Sequence, residues 1–358
     1  MEVIEQALKK VKLTSTTTLV AKPKKIPEKV RAKLTKYVMS APDQVKPFSQ
    51  IEVSTRTVIV FTNCRLTLEN LFNYIPITDF DPVLKRRGRK KRNMVEKQVI
   101  RLPFGSVIRV QYELNVRGVV HYNHKTAVPL VEAVVCPTGK TENKKSYFLH
   151  CVVLVIAIDT AEDTENKFKN VKLYSNGKLQ ITGCKNDEQY VQTMRALFQL
   201  FGQIERFTGM QVCANTDLTY RAVFNTVMQN MDFFIGFSIC RNKLDQFINA
   251  NTTFRSIYEG SMNTGVNIKI PVSTTNGKLL AIECSKTSNE VVRSQVNYED
   301  YKHFIMKKGK KDAEHTFLVF ATGHIIFTSA GTDMESVYYA FITLMMENRA
   351  HFEEQKQS

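Results

Sequence analysis

The sequence predicts an α+β protein made of one unit performed twice, each a strand, a helix, several antiparallel strands and a long helix. Three observations lead there. Two alternating stretches around a tight turn, KLYSNGKLQITG (172–183) and LVFATGHIIFTS (318–329), coincide when Gly177 is set on Gly323, an offset of 146 (323 − 177). At that offset Thr182 falls on Thr328, Asp187 on Asp333 and Val191 on Val337 without a gap. Upstream, FTNCRLTLENLFN (61–73) echoes FSICRNKLDQFIN (237–249), with Cys64 and Arg65 on Cys240 and Arg241 at an offset of 176 (240 − 64). Ordered self-similarity of this kind marks an internal repeat.

Taken in chain order, residues 1–48 read as a basic N-terminal arm, since KPKKIPEKVRAKLTK is interrupted by prolines. The first copy, 49–208, opens with a strand ending in Cys64-Arg65 and an amphipathic helix. The two offsets differ by 30 (176 − 146), which places a basic insertion at about 80–118. Within it Lys85, Arg86, Arg87, Arg89, Lys90, Lys91 and Arg92 form a patch too charged to pack. It reads as a solvated loop that could serve nuclear import or touch phosphate. FLHCVVLVIAI (148–158) is β-rich and too short to span a bilayer. The hairpin then leads to a helix with a capping box, Asn186 and Gln189. Apolar residues at Tyr190, Met194, Leu197, Phe201 and Ile204 share one face of a 3.6-residue period. The second copy, 209–354, repeats the pattern with a box of Thr332 and Glu335 and apolar Val337, Phe341, Leu344 and Met345. Residues 355–358 are a polar tail.

Strand alternation assigns the hairpin faces. In the second copy Phe317, Val319, Ile325 and Phe327 should pack under the helices, leaving Leu318, Phe320, Ile326 and Thr328 on the other side. An apolar outer face of this kind calls for a partner, or for an inserted strand or loop that covers it. In the first copy Val171, Leu173, Leu179 and Ile181 take the core, and the outer face carries Lys172, Tyr174, Gln180 and Thr182.

The net charge of +16 points to a polyanion partner, most often nucleic acid. The 7 cysteines are scattered and never spaced Cys-x-x-Cys, which speaks against a zinc site or disulfide framework and for a reducing intracellular compartment. No apolar signal segment opens the chain. Nothing supports an enzyme. The histidines form no metal-spaced cluster, HYNH (121–124) reads as a solvated turn, and PTGKTENKK (137–145) lacks the first glycine of a phosphate loop. No catalytic residue, metal or cofactor is expected.

The repeated blocks resemble the TATA-box-binding protein family. Each half there carries a strand ending near Cys-Arg-Leu, a helix, an antiparallel sheet with Phe-x-Ser-Gly-Lys followed by Thr-Gly, and a long helix. The matching residues are CRL (64–66), YSNGK (174–178) with TG (182–183), and FATGH (320–324) with Thr328, in patches from about 49 to 354. The resemblance implies a pseudo-twofold saddle, one curved antiparallel β-sheet with long helices on its convex face. It implies a general transcription initiation factor on AT-rich double-stranded promoter DNA. Such a protein is monomeric on DNA, widens the minor groove, wedges side chains between base steps and favours deformable sequence. The expected protein partners are a TFIIB-like factor and RNA polymerase, with no membrane involved. The long insertions are similar to those of divergent members encoded by large DNA viruses, so the expected location is the nucleus or a viral replication compartment.

On this resemblance Tyr174 and Phe320 are wedges, and Leu318, Ile326 and Thr328 belong to the groove floor. The polar first-copy face needs no partner of its own, but its residue types could bind DNA through Lys172 and Lys178 to phosphate and Gln180 and Thr182 to base edges. Asn230 reads central base pairs, with its first-copy position near Thr55 and Arg56. The remaining wedge positions hold Asn263 and Ala127, so strong bending is not expected. The alternative is an adaptor of the same fold that has lost strong bending and acts through protein–protein contacts.

Overall fold

The computed structural model describes residues 45–80, 101–123, 126–129, 150–159, 167–215, 217–261, 264–272, 277–288, 290–305, 314–329 and 333–354. The arm up to residue 44, the basic run 85–92, the segment 137–145, His124, Asn263, Thr332 and the tail 355–358 lie outside the described residues.

After a short turn of helix at Phe48–Gln50, the chain forms β1 (Val53–Thr62), β2 (Arg65–Leu66), α1 (Leu68–Tyr74), β3 (Val107–Tyr112), β4 (Asn115–Asn123) and β5 (Thr126–Pro129). Next come β6 (Val152–Ile158), β7 (Lys167–Leu173), β8 (Lys178–Cys184), α2 (Asp187–Thr208), β9 (Cys213–Ala214) and β10 (Thr219–Phe234). Then follow α3 (Arg241–Asn251), β11 (Arg255–Ile257), β12 (Val266–Pro271), β13 (Lys278–Ser285), β14 (Val291–Asn297) and α4 (Tyr298–Ile305). The chain closes with β15 (Glu314–Val319), β16 (His324–Ser329), α5 (Met334–Glu347) and α6 (Arg349–Phe352). No described helix is long and apolar enough to cross a membrane.

The chain divides into two compact units. The N-terminal unit holds Arg56–Thr226 with Lys278–Val296, and the C-terminal unit holds the described residues up to Thr55 with Val227–Gly277 and those from Asn297. These are not the contiguous blocks 49–208 and 209–354. Residues 45–51 pack on α5: the Tyr338 hydroxyl donates to the Lys46 carbonyl at 2.6 Å, and Val45 and Ile51 are buried in the C-terminal core. The β13–β14 hairpin, inserted in the second half of the sequence, packs instead with the N-terminal core through Leu280, Ile282, Cys284 and Val291.

In the N-terminal unit the strands run β1-β8-β7-β6-β3-β4-β5, every neighbour antiparallel. In the C-terminal unit they run β10-β16-β15-β12-β11, again antiparallel. The order of the first five strands thus recurs, with β3 in the place of β11. Residues 107–118 therefore belong largely to the sheet, and the extra chain between α1 and β3 ends before Val107.

The structure also shifts the expected correspondence between the two Cys-Arg blocks. β1 stops at Thr62 and β10 at Phe234, ahead of the Cys-Arg pairs. Helices α1 and α3 begin at Leu68 and Arg241, an offset of 173 (241 − 68). The same offset governs how the strand exits meet the hairpins. Leu66 N donates to Ser175 O as Ile239 N donates to Ala321 O. Leu71 and Ile75 are the buried counterparts of Leu244 and Ile248. The identical Cys-Arg pairs are a near-miss three residues out of step: Cys64 precedes β2, whereas Cys240 is the residue before α3.

The long helices show why the local sequence folds as it does. Asn186 Oδ1 accepts from Gln189 N at 3.0 Å, and Gln189 Oε1 reaches back to Lys185 N at 2.8 Å. This is the capping box, closed one residue earlier than in the standard form. Gly209, with φ 71°, ends the helix in the left-handed conformation. Tyr190, Met194, Leu197, Phe201 and Ile204 all sit in the N-terminal core. At α5 the residue before the helix is Asp333, and no side-chain cap forms. Its carboxylate lies 3.1 Å from His315 Nε2 instead. The core below α5 is an aromatic stack, Phe327 on Phe317 at 4.2 Å and Phe317 on Phe341 at 3.9 Å, with nearly parallel rings.

Candidate nucleic-acid interface

The hairpin faces fall as alternation predicts. Phe317, Val319, Ile325 and Phe327, and in the N-terminal unit Val171, Leu173, Leu179 and Ile181, are all fully buried on the helix side. Leu318, Phe320, Ile326 and Thr328 are only half-buried on the outer face, as are Lys172, Tyr174, Gln180 and Thr182.

In the C-terminal unit the ladder sets Asn230 opposite Thr328, and Thr328 Oγ1 donates to Asn230 Oδ1 at 2.9 Å. Ile326 lies between Asp232 and Leu318, and Leu318 meets Asn267. The apolar strip is thus bordered by amides and one exposed carboxylate. Farther out, Glu314 holds Lys269 Nζ at 2.8 Å and Arg255 at 3.3 Å, so one carboxylate offsets part of the local positive charge.

In the N-terminal unit Thr57, Ile59 and Phe61 of β1 stand opposite Thr182, Gln180 and Lys178. Thr57 therefore meets Thr182 as Asn230 meets Thr328, one residue beyond Arg56. Arg56 itself turns to the helix side, its guanidinium 2.6 Å from Asp187 in the first turn of α2. Thr55 is half-buried next to Ser54, whose hydroxyl donates to the Asn230 carbonyl at 3.2 Å. Lys172 lies between Gln180 and Val153. Burial raises the Tyr174 phenol above its ordinary value, and the Cys151 thiol beside it adds to the effect, so the ring stays neutral.

One end of this outer face is not open. Val155 and Ala157, on the same side as Asn170 and Phe168, are buried in a small second core with Leu102, Ile108 and Val119, against which Phe80 packs. Gly105 N donates to the Ala157 carbonyl at 2.9 Å and Ala157 N to that of Ser106 at 2.8 Å, which fixes the covering segment. Ala127 lies in β5, beyond β4 at the edge of the order, away from the hairpin.

Two further groupings carry less. Ser329 Oγ lies 2.7 Å from His315 Nδ1, with Asp333 at the other ring nitrogen. All three side chains are buried, so this set braces β15 and β16 against the start of α5. Among the described residues no group of three His, Cys, Asp or Glu could hold a metal.

Sequence reasoning missed Phe61, Phe234 and His324, which also belong to the outer faces. The alternation of β1 and β10, carried on past Ile59 and Asp232, would have found the two phenylalanines. No protein-family model matches the chain, and no curated protein does. Among solved structures it is similar to Methanococcus jannaschii TBP, with 9% identity over 84% of this chain and 99% of that chain, at a TM-score of 0.35.

Proposed function

We propose that the chain is a TBP-like transcription initiation factor that binds promoter DNA through the outer sheet faces of a duplicated, saddle-type fold, with the long helices on the opposite side. The observation that carries this reading is the C-terminal hairpin, where the apolar Leu318, Phe320 and Ile326 lie on the outer face and are only half-buried. The basic balance and the order of motifs support it. In this reading the protein acts in the nucleus or a viral replication compartment, recruits a TFIIB-like factor and RNA polymerase, and performs no catalysis.

Titration of TATA-containing and scrambled duplexes across a salt series tests it. Affinity should fall steeply with salt, because each neutralised phosphate releases counterions. Lys172→Gln and Lys178→Gln should each reduce the slope of log K against log salt by about 1. Folded protein that binds no duplex at low salt would overturn direct DNA contact.

A second reading, an adaptor of the same fold without strong bending, is favoured by the self-covered outer face around Val155 and by exposed Asp232. Co-purification with initiation factors in the absence of DNA affinity would decide for it.

A further inference from the structure

Two cysteines of the N-terminal unit, 149 residues apart in the chain (213 − 64), meet in the fold. β2 and β9 form a separate two-stranded ladder, with Leu66 opposite Cys213 and Arg65 opposite Ala214. Cys64 and Leu66 are buried and Arg65 between them is exposed, so Cys64 points to the same side as Leu66. That sets it diagonally beside Cys213. The Cys213 thiol donates a hydrogen bond to Cys64 Sγ. Both are free thiols of the N-terminal core, 3% and 4% exposed. Their exposed neighbours Arg65 and Ala214 put the pair one side chain beneath the surface.

The two thiols are chemically unequal. The hydrogen bond from Cys213 holds the Cys64 thiol below its ordinary value against the opposing effect of burial, and Thr62 and the charge of Lys286 add to it. The Cys213 thiol is pushed up, first by the same bond and then by burial. Lys286 is fixed in place, its Nζ 2.7 Å from the Asn215 carbonyl and 5.0 Å from the Tyr220 ring centroid. Glu205, whose charge works against a Cys64 thiolate, accepts from Val212 N at 2.9 Å and Cys213 N at 2.8 Å. A sulfur favoured as thiolate beside a fixed cation, with a neutral thiol in contact, is the arrangement of an attacking and a resolving cysteine. The pair also lies under the first hairpin. The Cys64 carbonyl fills the space where a Cβ of residue 177 would stand, and Leu66 N donates to Ser175 O at 2.9 Å. Thr62 Oγ1 accepts from Cys64 N at 3.3 Å and donates to Gly177 O at 2.7 Å.

We propose that Cys64 and Cys213 are a reversible dithiol site, oxidised by a peroxide to a disulfide that closes behind the first hairpin. The Cys64 thiolate attacks one peroxide oxygen, the O–O bond breaks, and the leaving hydroxide takes up the thiol proton as water. Cys64 is then a sulfenic acid. The Cys213 sulfur attacks the Cys64 sulfur, loses its proton and displaces the hydroxyl as a second water. Two thiols and one hydrogen peroxide thus give one disulfide and two waters, and a dithiol reductant reverses the change by becoming a disulfide itself. Bond formation draws the sulfurs together to about 2.0 Å. The movement passes to the hairpin turn, because the Cys64 carbonyl leaves Gly177 no room. The site stands whether or not the chain binds DNA.

The test treats the reduced full chain with hydrogen peroxide, blocks the remaining thiols with iodoacetamide and maps linked peptides by mass spectrometry. The expected product is a Cys64–Cys213 disulfide, formed about tenfold or more faster than oxidation at any other cysteine and reversed by dithiothreitol. In Cys213→Ser the reaction should stop at a Cys64 sulfenic acid that dimedone traps, and Cys64→Ser should give neither product. Lys286→Gln should slow disulfide formation severalfold, with thermal melting to confirm that each variant folds. Amide hydrogen exchange around Gly177 should differ between the reduced and oxidised chains. Other cysteines that oxidise as fast, a disulfide that forms only in urea, or dimedone capture at Cys213 instead of Cys64 in the wild-type chain each overturn the site. Where a serine variant fails to fold, the wild-type peptide map decides alone. A disulfide that leaves exchange at the turn unchanged overturns the link to the hairpin.

Discussion

A Cβ on Gly177 would stand 1.9 Å from the Cys64 carbonyl oxygen, and one on Gly323 2.1 Å from that of Phe237. Both residues also have φ near +80°. Each closes a three-residue hairpin loop in which the glycine supplies the left-handed step after a type I turn. Gly177→Ala and Gly323→Ala should each cost about 1–3 kcal/mol from backbone strain alone, with the carbonyl clash added, measured by denaturant unfolding. These glycines were legible in the sequence because turn chemistry is local. Arg56 was not. Its side chain was expected at the groove, but a register shift between Arg56 and Thr57 turns it toward Asp187, and no local pattern announces a bulge.

Among the elements, α2 is joined to β14 by Arg293, whose guanidinium lies 2.5 Å from Glu188. Hydrogen bonding from Gln192 and then from Arg293 holds the Glu188 carboxyl below its usual range. A carboxylate with a depressed folded value adds stability above its unfolded pKa of about 4.3, and loses it as pH falls through the folded value. Arg293→Gln should therefore lower stability at pH 7, by less than about 1 kcal/mol since the pair is surface-exposed. The difference from wild type should vanish as Glu188 becomes protonated in strongly acid solution. Urea melts at a series of pH values check this.

The hairpins and long helices were readable because alternation and the 3.6-residue period act over a few residues. The repeat register was not. The net length difference between the halves conceals three departures: extra chain between α1 and β3, extra chain between β3 and β6, and β13, β14 and α4 between β12 and β15. Gains in one half offset a gain in the other, so the offsets suggested a single insertion.

At the scale of the molecule, each unit has its own large core, and among the described residues the two have none in common. Phe201 and Phe341 are fully buried in the two cores. Replacing either with alanine should cost about 3–5 kcal/mol. The double variant should equal the sum within about 0.5 kcal/mol, since the two residues lie in separate core clusters. Calorimetry of the two single variants and the double variant measures it.

From the sequence alone follow the strand and helix types, the buried and outer faces of both hairpins, and the recurrence of hairpin and long helix, all products of short-range periodicity. Only the tertiary structure decided that α1 matches α3 three residues away from the Cys-Arg echo, and that Leu102 and Phe80 cover part of one outer face. It alone set Cys64 beside Cys213 and under the turn at Gly177. Those contacts join segments far apart in the chain, and their register is set by how whole cores pack, which no local pattern records.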